Sequence, residues 1–166
     1  MSNIETKELY KIAIETRNFE IKLFWQRSNY FLVLNTAIAV GTFSKISTDF
    51  RISFAALGIV ISYLWVCVNL GSKYWQSRWE NKVAQLEQEI SREIDLFSAD
   101  RKMTYFAVKQ SLSDYGQSQL GVHDYLVLEK PSVSKMMTYL SASFVIFWMA
   151  TLFLMVMGYP CTLLFR

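Results

Sequence analysis

Met136–Phe165 reads MMTYLSASFVIFWMATLFLMVMGYPCTLLF, a run without one charged side chain. A helix rises about 1.5 Å per residue, so a hydrocarbon layer of about 30 Å is crossed by roughly 20 apolar residues. The run exceeds that length. Further back, Ile52–Ser72 (ISFAALGIVISYLWVCVNLGS) is also uncharged and long enough, while Ser28–Ser44 (SNYFLVLNTAIAVGTFS) is uncharged but shorter. Phe24 and Trp25 extend the shorter run into the interface, and Lys or Arg borders all three. These runs predict an all-α integral membrane protein with three transmembrane helices, at about 28–44, 52–72 and 136–160, and a short external tail over 161–166.

The chain has 166 residues, one domain's worth, and is 52% hydrophobic, more than a water-facing surface accommodates. Three spans enclose neither a wide pore nor a large core, so function is expected to come from self-assembly or from a partner. The net charge of +3 divides as +1 over 1–27, +1 over 45–51, zero over 72–136 and +1 at Arg166. Acids and bases alternate without a basic patch, which argues against nucleic acid as a partner. Cys67 and Cys161 have no metal-ligand spacing, and neither a metal nor a cofactor is expected. Residues 1–27 have no short apolar core with a cleavage site, so the first span is expected to be its own uncleaved insertion signal.

Orientation follows from the charges near the span ends. Arg17, Lys22, Arg27, Lys73, Arg78, Lys82, Lys130 and Lys135 fall on one side, against Lys45, Arg51 and Arg166 on the other. The richer side is expected to be cytoplasmic. That places the amino terminus and residues 73–135 inside the cell, with an outer turn at 45–51.

Both cytoplasmic parts have helical periodicity. Over 4–26, Leu9, Ile12, Thr16, Phe19 and Leu23 recur at steps of three and four, opposite Glu8, Lys11, Glu15, Asn18 and Lys22. The apolar set is expected to pack on protein, and Asn3 is a candidate cap. Beyond the second span the helix is expected to continue, with Trp75, Trp79, Val83, Leu86, Ile90, Ile94 and Phe97 as a heptad-like seam and Glu80, Gln85, Glu87 and Gln88 turned to solvent. Such a seam buries against the amino-terminal helix or against a neighbouring copy. Trp75, Trp79, Val83, Leu86, Ile90 and Phe97 are therefore the candidates for an oligomer interface. Ser98 and Asp100 are expected to end this helix and cap a shorter one over 101–112, before a loop, DYGQSQLGVHDYLVLEKPSVS.

That loop holds His123 beside Asp124, a pair expected to be a surface contact. No nucleophile elbow, Gly-rich phosphate loop or paired-carboxylate motif accompanies it, so no enzymatic activity is expected. A nuclease of the HEPN type has an Arg four to six residues before its His, and those positions are Gln117, Ser118 and Gln119.

Polar residues within the spans are uncharged: Asn35 and Thr36, Ser62 and Asn69, then Thr138, Ser141, Ser143 and Thr151. This argues against a proton relay or voltage sensor. Asn35, Thr36, Ser62 and Asn69 are candidates either for interhelical hydrogen bonds or for a pore lining. Ala37 with Gly41, and Gly58 with Ser62, are small pairs four apart that permit close helix approach. Tyr63, Trp65, Tyr74, Trp75 and Trp79 read as an aromatic belt at the inner headgroups.

The stretches ELYKIAIETRNFEIKLFWQRSNYFLVLNTAIAVGTF and YLWVCVNLGSKYWQSRWENKVAQLE resemble the RipA-type octameric membrane proteins of bacteria, over roughly residues 8–90 and chiefly through WQRSNYF and GSKYWQSRWE. More loosely, the layout is similar to SLATT defence effectors and to the octameric membrane accessory protein of RNA-targeting CRISPR systems. The third span departs from the two-span SLATT layout. The resemblance implies a homo-oligomer, an octamer in the nearest case, assembling as a ring. It further implies a place in the bacterial inner membrane and a pore-forming or membrane-disrupting role in anti-phage defence, with membrane lipid and a cytoplasmic sensor or effector as partners. A non-conducting scaffold that recruits a partner through residues 72–136 is the alternative.

Overall fold

The structure, a computed structural model, describes residues 3–44, 47–90, 96–114, 121–130 and 132–158. Over these residues the chain is 91% helix and has no strand. Its helices are α1 (Asn3–Phe43), α2 (Thr48–Ile90), α3 (Arg101–Asp114), α4 (Val122–Glu129) and α5 (Val133–Val156). Two of them, α2 and α5, are long and apolar enough to cross a membrane. The uncharged part of α1 is shorter and carries Asn35 and Thr36 at its middle, which lowers its apolar character.

Several boundaries differ from the sequence reading, each for a local reason. The turn expected over 45–51 is shorter, because α2 already begins at Thr48. Asp49 sits in its first turn, where a carboxylate favours the exposed N–H groups. Arg51 reaches back, its Nε donating to the Thr42 carbonyl at 2.9 Å and satisfying an orphan acceptor at the end of α1. The third apolar helix stops at Val156 although the uncharged run continues. Gly158 has φ +77° and donates to the Met155 carbonyl at 3.1 Å, and Pro160 follows. A glycine in the left-handed region is the usual helix stop. The segment expected as one loop contains α4, whose start is held by Asp124 Oδ2 accepting the Gly121 N–H at 2.9 Å. Ile94 and Cys161 lie outside the described residues.

The chain divides into two compact units. One comprises Phe19–Trp75 and Val133–Arg166. Its apolar core is Ile38, Ala55, Trp148 and Met155, with Phe43, Ile52, Phe54, Phe144 and Phe147 against it. The interior also holds Ser28, Asn35, Thr42, Ser62, Asn69, Ser141 and Thr151, whereas Val33, Leu34, Val40, Val60, Ile146 and Phe153 are exposed. This is the reverse of a water-soluble protein. Polar groups inside and aliphatic groups outside suit a hydrocarbon surround, where each polar atom needs a protein partner. Trp65 is fully buried, stacked on Phe31 at 6.0 Å and tilted against Phe144 at 5.8 Å, and so does not belong to the expected aromatic belt.

The other unit comprises Met1–Asn18 and Gln76–Ser132. Ala13, Val83 and Leu86 form its core, with Tyr10, Ile14, Trp79 and Phe97 around them. The buried face of α1 here is Thr6 and Ala13, while Leu9 and Ile12 are exposed. The stripe expected to pack is therefore turned outward. Small Ala13 lets α1 approach Val83 closely, which bulkier Leu9 and Ile12 would prevent.

Candidate functional site

The side chains with the most constrained chemistry form three polar nodes. In the first, Asn35 on α1 accepts at Oδ1 from Ser62 Oγ on α2 and from Trp148 Nε1 on α5, each at 2.8 Å. Its Nδ2 donates to the Phe31 carbonyl one turn back at 2.9 Å. One carboxamide thus joins three helices, and Asn35, Ser62 and Trp148 are each 1% exposed or less. Gly58 makes the joint possible. A methyl group at its Cα would lie 2.5 Å from the Trp148 ring, so only hydrogen fits there.

The second node is Asn69 on α2, whose Nδ2 donates to Ser141 Oγ at 3.2 Å and to the Met137 carbonyl at 3.1 Å on α5. Ser141 in turn donates to the Thr138 carbonyl at 2.9 Å. Nearby, Arg27 donates to Ser72 Oγ at 3.3 Å, joining α1 to α2 at the charged edge of this unit. Three threonine hydroxyls close on their own helices: Thr42 to Ile38, Thr151 to Phe147 and Thr36 to Leu32, whereas the buried Ser28 hydroxyl has no hydrogen-bond partner among the described residues.

The third node lies in the other unit. Glu87, expected to face solvent, is 2% exposed. Its Oε2 accepts the Phe97 N–H at 2.9 Å and the Ser98 N–H at 2.8 Å, and its Oε1 accepts from Tyr10 at 3.2 Å. The carboxylate folds the chain after α2 back onto that helix and pins α1 alongside. Burial pushes the Glu87 carboxyl up, but the donated hydrogen bonds outweigh it and hold the group below its ordinary value. Burial, then the Glu87 charge and hydrogen bond, push the Tyr10 hydroxyl up. Alongside, Arg17 sits 5.1 Å over the Phe97 ring and 4.0 Å from Glu80.

Of the residues proposed for spans or pore, Asn35, Ser62 and Asn69 are buried and hydrogen-bonded between helices of one chain, while Thr36 is exposed. Of the seam, Val83 and Leu86 are buried against the chain's own α1, Trp79 and Phe97 flank them, Ile90 is half-buried and Trp75 is exposed. Trp148 and Glu87 escaped the sequence reading as node members. One signal for Trp148 was available, since a mid-span indole N–H usually finds an acceptor, but it does not single Trp148 out: the N–H of buried Trp65 has none among the described residues. His123 is 89% exposed and 3.8 Å from Asp124. Among the described residues no three of His, Cys, Asp and Glu gather as a metal site would require.

Apolar helices tied together by buried amides, with aliphatic side chains outward, define a helical integral membrane protein. No curated protein and no solved structure matches the chain. A family model does: residues 7–157 match the octameric membrane protein family (8xMP), and the chain belongs to that family. Self-association in a membrane follows from the membership.

Proposed function

We propose that this protein is an octameric scaffold of the bacterial inner membrane, whose cytoplasmic helices assemble the copies and recruit or sense a cytoplasmic partner. The observation that carries this reading is the fate of the span polar groups. Asn35 bonds to Ser62 and Trp148, and Asn69 to Ser141, all within a single chain, so the outward surface left for neighbouring copies is mainly apolar. A water-filled lumen between copies needs polar groups facing outward. Three spans per copy are part of the proposal. The Asn35 node ties the uncharged part of α1 to both long apolar helices, and Val33, Leu34 and Val40 face outward from it. The Lys and Arg bias supports a cytoplasmic amino terminus. No catalytic role is assigned to His123: Asp124 beside it is engaged by the Gly121 N–H, and His123→Ala is expected to leave function unchanged.

One observation favours the second reading, a pore or membrane-disrupting effector in phage defence. Thr36 is exposed at mid-span, one residue from the Asn35 node. Dye and potassium release from liposomes bearing the purified octamer separates the two. The scaffold leaves liposomes intact, with or without Thr36→Leu. Leakage that Thr36→Leu abolishes, at unchanged octamer mass, would replace the scaffold with the pore.

A further inference from the structure

The cytoplasmic unit exposes several apolar surfaces, Val122, Tyr125 and Leu126 of α4 among them, and two of these surfaces carry flanking charges of opposite sign. One is the α1 stripe of Leu9 and Ile12, the latter 56% exposed, with exposed Glu8 and Glu15 along its edge. The other is α3, where every residue from 102 to 111 is exposed. Met103 and Phe106, three apart, form one apolar edge, Phe106 being 65% exposed, with Lys102 and Lys109 beside it. A helix as short as α3 has little stability in water without tertiary packing, so this exposure implies a covering surface. Lipid suits it poorly. Tyr105 and Val108 lie on the side of α3 roughly opposite Met103 and Phe106, so a bilayer surface covering one pair leaves the other in water.

We infer that Met103 and Phe106 of α3 dock on Leu9 and Ile12 of α1 in the adjacent copy, with Lys102 and Lys109 facing Glu8 and Glu15. The inference rests on the octameric assembly of the proposed function. A ring of identical copies closes through two unlike patches on each copy, which the α1 stripe edged by Glu8 and Glu15, with Lys11 between them, and the α3 edge with Lys102 and Lys109 supply. The exposed residues of α2 in this unit are Arg78, Asn81, Lys82, Gln85, Gln88 and Glu89, and offer no comparable apolar surface.

The test uses the full chain with Cys67 and Cys161 replaced by Ser. Chains carrying Ile12→Cys and Phe106→Cys are co-assembled, their octameric mass is confirmed, and a short bis-maleimide is added, since packed helices lie about 8–10 Å apart. A dimer joining one chain of each kind is expected, and a doubly substituted chain should give a ladder reaching eight. Links only between like positions, or intact octamers without a 12–106 link, would overturn the interface, as would a protein that is never octameric. Glu8→Lys with Glu15→Lys should cost most of the octamer, and Lys102→Glu with Lys109→Glu should restore it. A Glu pair whose loss the Lys pair fails to restore would count equally against the docking. Leaking liposomes with the 12–106 link present would remove the scaffold and keep the interface, and tight liposomes without the link would do the reverse.

Discussion

Asn35→Leu tests the joint between the three apolar helices. The substitution removes the acceptor of two buried donors, Ser62 Oγ and Trp148 Nε1, each at 2.8 Å. Interhelical hydrogen bonds in membranes average about 0.6 kcal/mol and reach about 1.7, so two lie between about 1.2 and 3.4 kcal/mol. The Ser62 share is recoverable, because a serine hydroxyl can turn to the carbonyl one turn back, as Ser53 does to Asp49. Trp148 has no such escape, and its indole N–H stays buried without an acceptor. The expected loss is therefore about 1–2 kcal/mol. Unfolding in mixed micelles titrated with dodecyl sulfate reads it, with octamer mass measured in parallel to separate folding from assembly. A double-mutant cycle with Trp148→Phe isolates the bond, and coupling of about 0.6 kcal/mol or more is expected. Wild-type stability in Asn35→Leu, or zero coupling in the cycle, would refute the reasoning.

Two more outcomes follow from the same geometry. Gly58→Ala puts a methyl group against the Trp148 ring and should cost about 1–3 kcal/mol in the same titration, most of it relieved when Trp148 is replaced by Leu. Glu87, held below its ordinary value, contributes stability that is present above about pH 4.5 and lost as pH falls through the lower value of the folded state. Protease resistance of the unit that holds Glu87 should fall across that acid window in the wild type and change less in Glu87→Gln.

Much of the helical architecture was legible because lipid leaves a coarse mark: uncharged runs of sufficient length with basic borders. The continuation of α2 past Lys73 was legible too, since Trp79, Val83 and Leu86 keep helical spacing through the charged stretch. What the pattern concealed was which face wins. Leu9 and Ile12 outrank Ala13 in hydrophobicity, yet Ala13 is the buried one, because the small side chain sets how closely α1 reaches Val83. Glu87 read as solvent-facing because charge normally marks the wet side. Its burial depends on Phe97 and Ser98 returning to it, a contact that periodicity within one helix does not encode. α4 was hidden by the glycines and Pro131 around it. The partners of Asn35 were half legible: small and polar residues marked the meeting faces, but Trp148 lies far along the chain and no local spacing connects them.

The fit of Gly58 beneath the Trp148 ring bears on how relatives of this chain can diverge. The two positions share one volume, and Trp148 is bound to Asn35 as well. A lineage that enlarges residue 58 must first shrink residue 148, which strands the amide at 35 until it too is replaced. Positions 35, 58 and 148 should therefore co-vary across the family, with Asn, Gly and Trp retained as a set or exchanged as one.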